Sequence, residues 1–350
     1  MTHATGFRAA LARLSAAAAA LMLAAVLTLV GTTPAYAQAA GGAPPVSAGS
    51  INTGERPLAG ITDSNDAELL RALKGAQGQV TIQDEKSAVL IQPQGRDWRA
   101  AIKGPVRVIG AWLVLGMVVV LIVFFLMRGR ITIDKGFSGR TIARFNGLDR
   151  FTHWLTASSF VVLALSGLNI SYGRYLLLPI IGPDAFTGLS LALKYAHNFV
   201  ALPFMVGVVV MFVLWVGHNI PNKYDFQWLA VAGGLFSKGA HPPSKKFNAG
   251  QKIIFWSVIL GGAIISVSGI FLLFPFYFGD IHDQQLMQIL HAVFALILIS
   301  IVLAHIYIGS LGMEGAFDAM YTGEVDENWA REHHNVWVAQ VKGEPVPGHD

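Results

Sequence analysis

Residues 286–311 read LMQILHAVFALILISIVLAHIYIGSL, an apolar run with no Asp, Glu, Lys or Arg. At 1.5 Å per residue a helix needs about 20 such residues to cross a bilayer, so this run is long enough to span. It carries two histidines, His291 and His305. Their fourteen-residue spacing is about 21 Å along a helix and, at roughly 100° per residue, returns to within about 40° of the same face. An ionisable side chain inside a span is costly and marks a functional site by default. Neutral imidazole is also the commonest protein ligand for metals.

Four further apolar runs precede it: Val106 to Met127, Thr152 to Ile170, Ala196 to Val216 and Ile253 to Phe274. The chain is 53% hydrophobic and 13% charged, which with these runs excludes a water-soluble fold. The expected fold class is an all-α membrane protein. The last four runs form a four-helix transmembrane bundle, preceded by one extra transmembrane helix and a small periplasmic region. Cysteine is absent. Thiolate iron–sulfur clusters, c-type haem attachment and disulfides are therefore excluded from this chain. The net charge of +4 is concentrated in particular loops, so it reports orientation and not nucleic-acid binding.

Residues 1–37 read as a secretory signal: Arg8 and Arg13 precede the apolar run Leu14 to Val30, and Ala35-Tyr36-Ala37 offers a cleavage site. Residues 38–105 form the only sizeable hydrophilic region, expected as a periplasmic linker, a short helix at 66–74 and a small hairpin with strands at 79–83 and 88–92. The extra helix is expected at 106–127 and a cytoplasmic loop at 128–150. The bundle takes 151–311 and a cytoplasmic tail 312–350, with Trp329 to Val338 as an interfacial helix. Lys and Arg crowd the loops at 128–150 and 223–252, whereas the loop between the last two spans has acids and no Lys or Arg. The positive-inside rule places the two basic loops in the cytoplasm of a bacterium and the chain in its inner membrane, in agreement with the signal.

This topology sorts the histidines by depth. His153 starts the first bundle helix on the cytoplasmic side, and His197 starts the second on the outer side. Depth therefore pairs His197 with His291 and His153 with His305, two bis-imidazole sites one above the other. Zinc does not suit two ligands alone, whereas bis-imidazole ligation suits an electron-transfer haem. A membrane transporter with a histidine proton relay is the alternative from a different class.

The stretches Phe151-Thr152-His153-Trp154, Ala164-Leu165-Ser166-Gly167, His218-Asn219-Ile220-Pro221-Asn222-Lys223 and Phe247-Asn248-Ala249-Gly250-Gln251-Lys252, with the His291/His305 pair, carry a family resemblance. From Thr141 to Trp337 the chain resembles the gamma (cytochrome b556) subunit of membrane-bound formate dehydrogenase. The resemblance implies two haem b groups, one held by His197 and His291 and the other by His153 and His305. It implies a quinone pocket, for menaquinone or ubiquinone, beside the cytoplasmic haem at Asn248 and Gly250, with Gln251 adjacent. Asn248 can equally serve as the N-cap of its helix. The partners implied are an iron–sulfur (beta) subunit at the outer face and a molybdenum or tungsten catalytic (alpha) subunit, since this chain has no formate-oxidising group. Nothing in the spans themselves chooses formate. A dihaem cytochrome b of a hydrogenase or of a sulfur-compound reductase has the same layout.

Overall fold

The computed structural model describes residues 95–237 and 239–346. The expected signal, linker, short helix at 66–74 and hairpin at 79–92 lie outside the described residues. Five helices among the described residues are long and apolar enough to cross a membrane. They are α1 (Arg107–Arg128), α2 (Gly147–Leu176), α3 (Pro183–Trp215), α4 (Ala249–Leu273) and α5 (Ile281–Tyr307).

Helices α2, α4 and α5 start ahead of their apolar runs, where polar caps open them. Reciprocal side-chain caps open α2 (Asn146 with Asp149), α4 (Asn248 with Gln251) and α5 (Asp280 with Asp283). Each cap satisfies amide groups that a helix start leaves without partners. The hydrophilic region expected to run to Pro105 is also helical earlier than its composition suggested. A helix runs from Gly95–Ala101 through a π-turn, Ile102–Val106, into α1. Pro105 lies inside that turn, and without an N–H it loosens the helix there and does not end it.

Two compact units divide the chain. One contains Tyr172–Ala196, which joins α2 to α3 through the short helix Leu178–Ile181. The other takes in Pro93–Ser171 and His197–Asp350 and holds all that follows.

Within this second unit the four helices close into a ring. Phe160 of α2 meets Phe204 of α3 at 6.0 Å, and a methyl group at Gly207 of α3 would collide with Thr156 of α2. Gly262 of α4 lies under Val208 and Phe204 of α3, and Gly261 under Leu298 of α5. His305 of α5 faces His153 of α2 and completes the ring. Glycines at these crossings suit a membrane, where close backbone packing replaces the missing hydrophobic drive. Helix α1 packs outside the ring on α5, with Phe124 and Phe125 edge-on to Tyr307 at 6.2 and 6.4 Å. Its other face, including Trp112, Leu126 and Met127, is exposed, as a lipid-facing surface would be.

The end of the bundle that carries the Lys/Arg-rich loops, the basic end, is covered by a small folded layer. Strand β1 (Thr141–Ala143) pairs antiparallel with β2 (Glu324–Asp326), with Ile142 opposite Val325. Two short helices follow, α6 (Glu327–His333) and α7 (Asn335–Lys342). This corrects the expected tail and single interfacial helix. Val325, Trp329, Ala330, Val336 and Val338 are buried, and the helix breaks at His334. The break turns the His334 ring inward, where Nδ1 reaches the Lys245 carbonyl at 2.7 Å and Nε2 reaches Arg144 at 2.8 Å.

Candidate cofactor sites

At the far end of the bundle, His197 of α3 and His291 of α5 stand with ring centres 6.1 Å apart. Each ring is held from behind by a serine. Ser166 Oγ lies 2.8 Å from His197 Nδ1, and Ser268 Oγ lies 3.1 Å from His291 Nδ1. Each hydroxyl has one proton and donates it to a carbonyl one turn back, at 2.7 Å to Val162 and 2.7 Å to Ile264. With the hydroxyl proton used there, the serine oxygen is assigned as acceptor and the ring Nδ1–H as donor, the tautomer that leaves the Nε2 lone pair free. The glycine after each serine makes room for the ring. A methyl group at Gly167 or Gly269 would stand 3.5 or 3.3 Å from the histidine Cε1.

At the basic end, His153 of α2 and His305 of α5 stand 6.2 Å apart. Nδ1 of His153 is buried without a hydrogen-bond partner, and so is Oγ1 of Thr152 beside it. The two pairs are about 21 Å apart along α5.

Both separations fit one metal between two rings. A metal–imidazole bond of about 2.0–2.1 Å plus about 1.1 Å from nitrogen to ring centre puts two coaxial rings roughly 6.3 Å apart. The four remaining positions around such a metal are empty of protein ligands, as a porphyrin requires. The residues therefore fit two haems, each held by two axial imidazoles.

Asn248, Gly250 and Gln251 sit at the start of α4, at the basic end. Asn248 Oδ1 accepts from the Gln251 N–H at 3.0 Å, and Gln251 Oε1 accepts from the Asn248 N–H at 3.1 Å. The cap uses the amide oxygens and leaves the NH2 groups, the donors that a quinone carbonyl needs. The open side of Gly250 is covered by the Trp228 ring, 2.8 Å from where a methyl group would be. Beside these residues Lys252 is buried and pairs with Asp225 at 2.7 Å. That ion pair closes the polar end of an apolar groove of about 510 Å³ between α4, α5 and the short helix Lys223–Ala230. A second cavity, about 370 Å³, is lined by His218, Lys245, Lys246 and Trp337.

Arg144 is the least expected residue of this end. It is buried, bonds the Lys246 carbonyl at 2.6 Å and Gln251 Oε1 at 3.3 Å, and lies against the rings of Phe145, Trp329 and Trp337. Burial lowers its pKa to about 9. Burial, followed by the neighbouring Arg144 charge, holds His334 well below the ordinary histidine value, so it is the neutral acceptor of the Arg144 N–H. His241, Asp134 and Glu332 also come together, but as loop contacts. His241 pairs with Asp134 at 3.0 Å, and Glu332 accepts the N–H groups of Asp134 and Lys135.

The serine bonds were not foreseen from the sequence. A signal was present: the Ser-Gly pair occurs at 166–167 and again at 268–269, on two different helices.

Comparison with known proteins accords with this geometry. The family described as prokaryotic cytochrome b561 matches residues 144–323. The nitrate-inducible formate dehydrogenase cytochrome b556(Fdn) subunit of Escherichia coli (strain K12) is 30% identical over 208 residues, covering 58% of this chain and 93% of that protein. The formate dehydrogenase cytochrome b556(fdo) subunit of the same strain is 29% identical over 206 residues, covering 58% and 94%. The formate dehydrogenase cytochrome b556 subunit of Haemophilus influenzae is 26% identical over 196 residues, covering 55% and 79%. With five apolar helices and a match that spans the whole bundle from Arg144 to Gly323, this chain is a multi-pass membrane protein that belongs to the prokaryotic cytochrome b561 family.

Proposed function

We propose that the chain is the membrane cytochrome b subunit of a formate dehydrogenase. In this reading the far end faces the periplasm and meets an iron–sulfur subunit, itself joined to the catalytic subunit that oxidises formate. His197 and His291 hold the outer haem b, and His153 and His305 the cytoplasmic one. When bound, the haems supply one-electron redox chemistry. The chain's own residues fix the ring planes, keep water out of the bundle and place an acceptor site at the basic end. Asn248, Gly250 and Gln251 are the candidate quinone contacts there, with His218 nearby as a cytoplasm-side proton carrier. Electrons moving inward cross a field worth about 2.3 kcal/mol per 100 mV over the full span, so the transfer conserves energy as membrane potential.

The observation that carries this reading is the pair of imidazole pairs, 6.1 and 6.2 Å between ring centres, at two depths of one bundle. The relatives' names supply the word formate. The test is to purify the complex through a tag on this chain and add formate anaerobically while recording the visible spectrum. Reduction of b-type haem by formate, with an iron–sulfur and a molybdenum or tungsten subunit in the preparation, is the expected result. Haem that responds to hydrogen or a sulfur compound and not to formate would replace this reading with another member of the family.

A further inference from the structure

We propose that Ser166 and Ser268 are positioning residues that make the outer pair the lower-potential haem site, so that electrons run downhill toward the basic end. The inference rests on the haem reading above and deepens it by naming the residues that make the two sites unequal. Both outer imidazoles donate Nδ1–H to a serine oxygen, and each serine is itself fixed by donating to its own helix. Hydrogen bonding at the far nitrogen fixes ring orientation and makes the ligating nitrogen a stronger donor. A stronger donor favours ferric over ferrous iron, which lowers the potential. At the basic end the corresponding nitrogen of His153 is buried and has no partner, so that ligand gains no such donor strength. One of the two basic-end imidazoles therefore lacks a bond that both far-end imidazoles have, which sets the poorer electron holder on the donor side.

The bond is also built redundantly. Ser166 is fully buried and Ser268 almost so, and the glycine after each lets the ring approach the serine. A serine that served packing alone would need no ring nitrogen within bonding distance.

The experiment is a potentiometric titration of the two haem waves in the intact, detergent-purified complex. The outer wave is the one that vanishes in His291→Ala. The wild-type outer wave is expected below the inner one. In Ser166→Ala/Ser268→Ala the outer wave should rise, by on the order of 59 mV for a tenfold change in the one-electron equilibrium constant. The inner wave should stay in place. Ser300→Ala, which removes a buried helix-bound hydroxyl that touches no histidine, should move neither wave. A threonine pair at 166 and 268 should restore the wild-type value. Should the alanine pair lose the outer haem, its recovery in the threonine pair supports the same role, and failure to recover counts against it. An outer wave that already lies above the inner one, or that does not move in a fully loaded alanine pair, would overturn the proposal. A wild-type complex without two haems would instead overturn the functional reading beneath it.

Discussion

The far end and the basic end of this bundle present the same two side chains at nearly the same separation, yet they differ in everything around them. At the far end each imidazole is backed by a serine and a glycine from the neighbouring helix. At the basic end the histidine nitrogen is left without a bond, while an elaborate polar layer builds up nearby: Arg144 among three aromatic rings, Lys252 against Asp225, and capping boxes at α2 and α4. The lesson is a division of labour. The paired imidazoles are alike at the two ends, and what differs is the set of groups that hold them.

The largest effect should come from breaking the basic end. Lys252→Ala leaves the Asp225 carboxylate buried without its cation, a loss of about 3–5 kcal/mol. Replacing both, as Lys252→Met with Asp225→Asn, should recover much of it. Thermal or detergent denaturation of the purified chain reads this. If the single variant is as stable as wild type, the pair is solvated and the basic end is looser than described.

A smaller and more local effect is expected at the far end. Gly269→Val places carbon where the His291 ring lies, and overpacking of this kind costs about 1–3 kcal/mol. Displacement of one ring should deplete the far-end haem and spare the other, which a haem-to-protein ratio with spectral resolution measures. Equal loss at both ends would mean that the sites are not independent.

Acid should loosen the layer over the basic end. His334 is neutral in the folded chain because burial lowers its pKa well below 6.5. As pH falls, the unfolded chain therefore takes up a proton first. The stability that neutral His334 contributes is complete above about pH 6.5 and is lost progressively below it. Limited proteolysis within residues 324–346 should become faster from pH 7.5 to pH 5.5; His334→Asn should reduce that dependence, and the remainder belongs to His333, which burial lowers to about 4. Smallest of all, Ser166→Ala should cost about 1 kcal/mol of stability, the net worth of one hydrogen bond. A denaturation midpoint measured beside Ser300→Ala checks that size.

Most of the bundle was legible in the sequence because membrane spans are written in composition. The five apolar runs located the five helices, although α3 begins at Pro183 and not at Ala196, so that His197 lies inside its helix and not at its start. The layer over the basic end was not legible, for a physical reason. Val325, Trp329 and Val338 form no periodic run long enough to stand out, and they become a core only when β1 brings in residues 141–143 from a distant part of the chain. The inward turn of His334 was not legible either. Its burial depends on Arg144, 190 residues away. The serine clamps were half-legible: the repeated Ser-Gly pair was visible, but nothing in one helix says which ring from another helix will lie against it.

The claim on which the rest depends is that this one chain holds two separate bis-histidine haems. The most direct test is haem per polypeptide, with reduced-minus-oxidised spectra, for the wild-type chain, His291→Ala and His305→Ala. The account predicts two b-type haems in the wild type and one in each variant, with a different spectral component missing from each. Folded variants that keep both haems, or that both lose the same component, would contradict it.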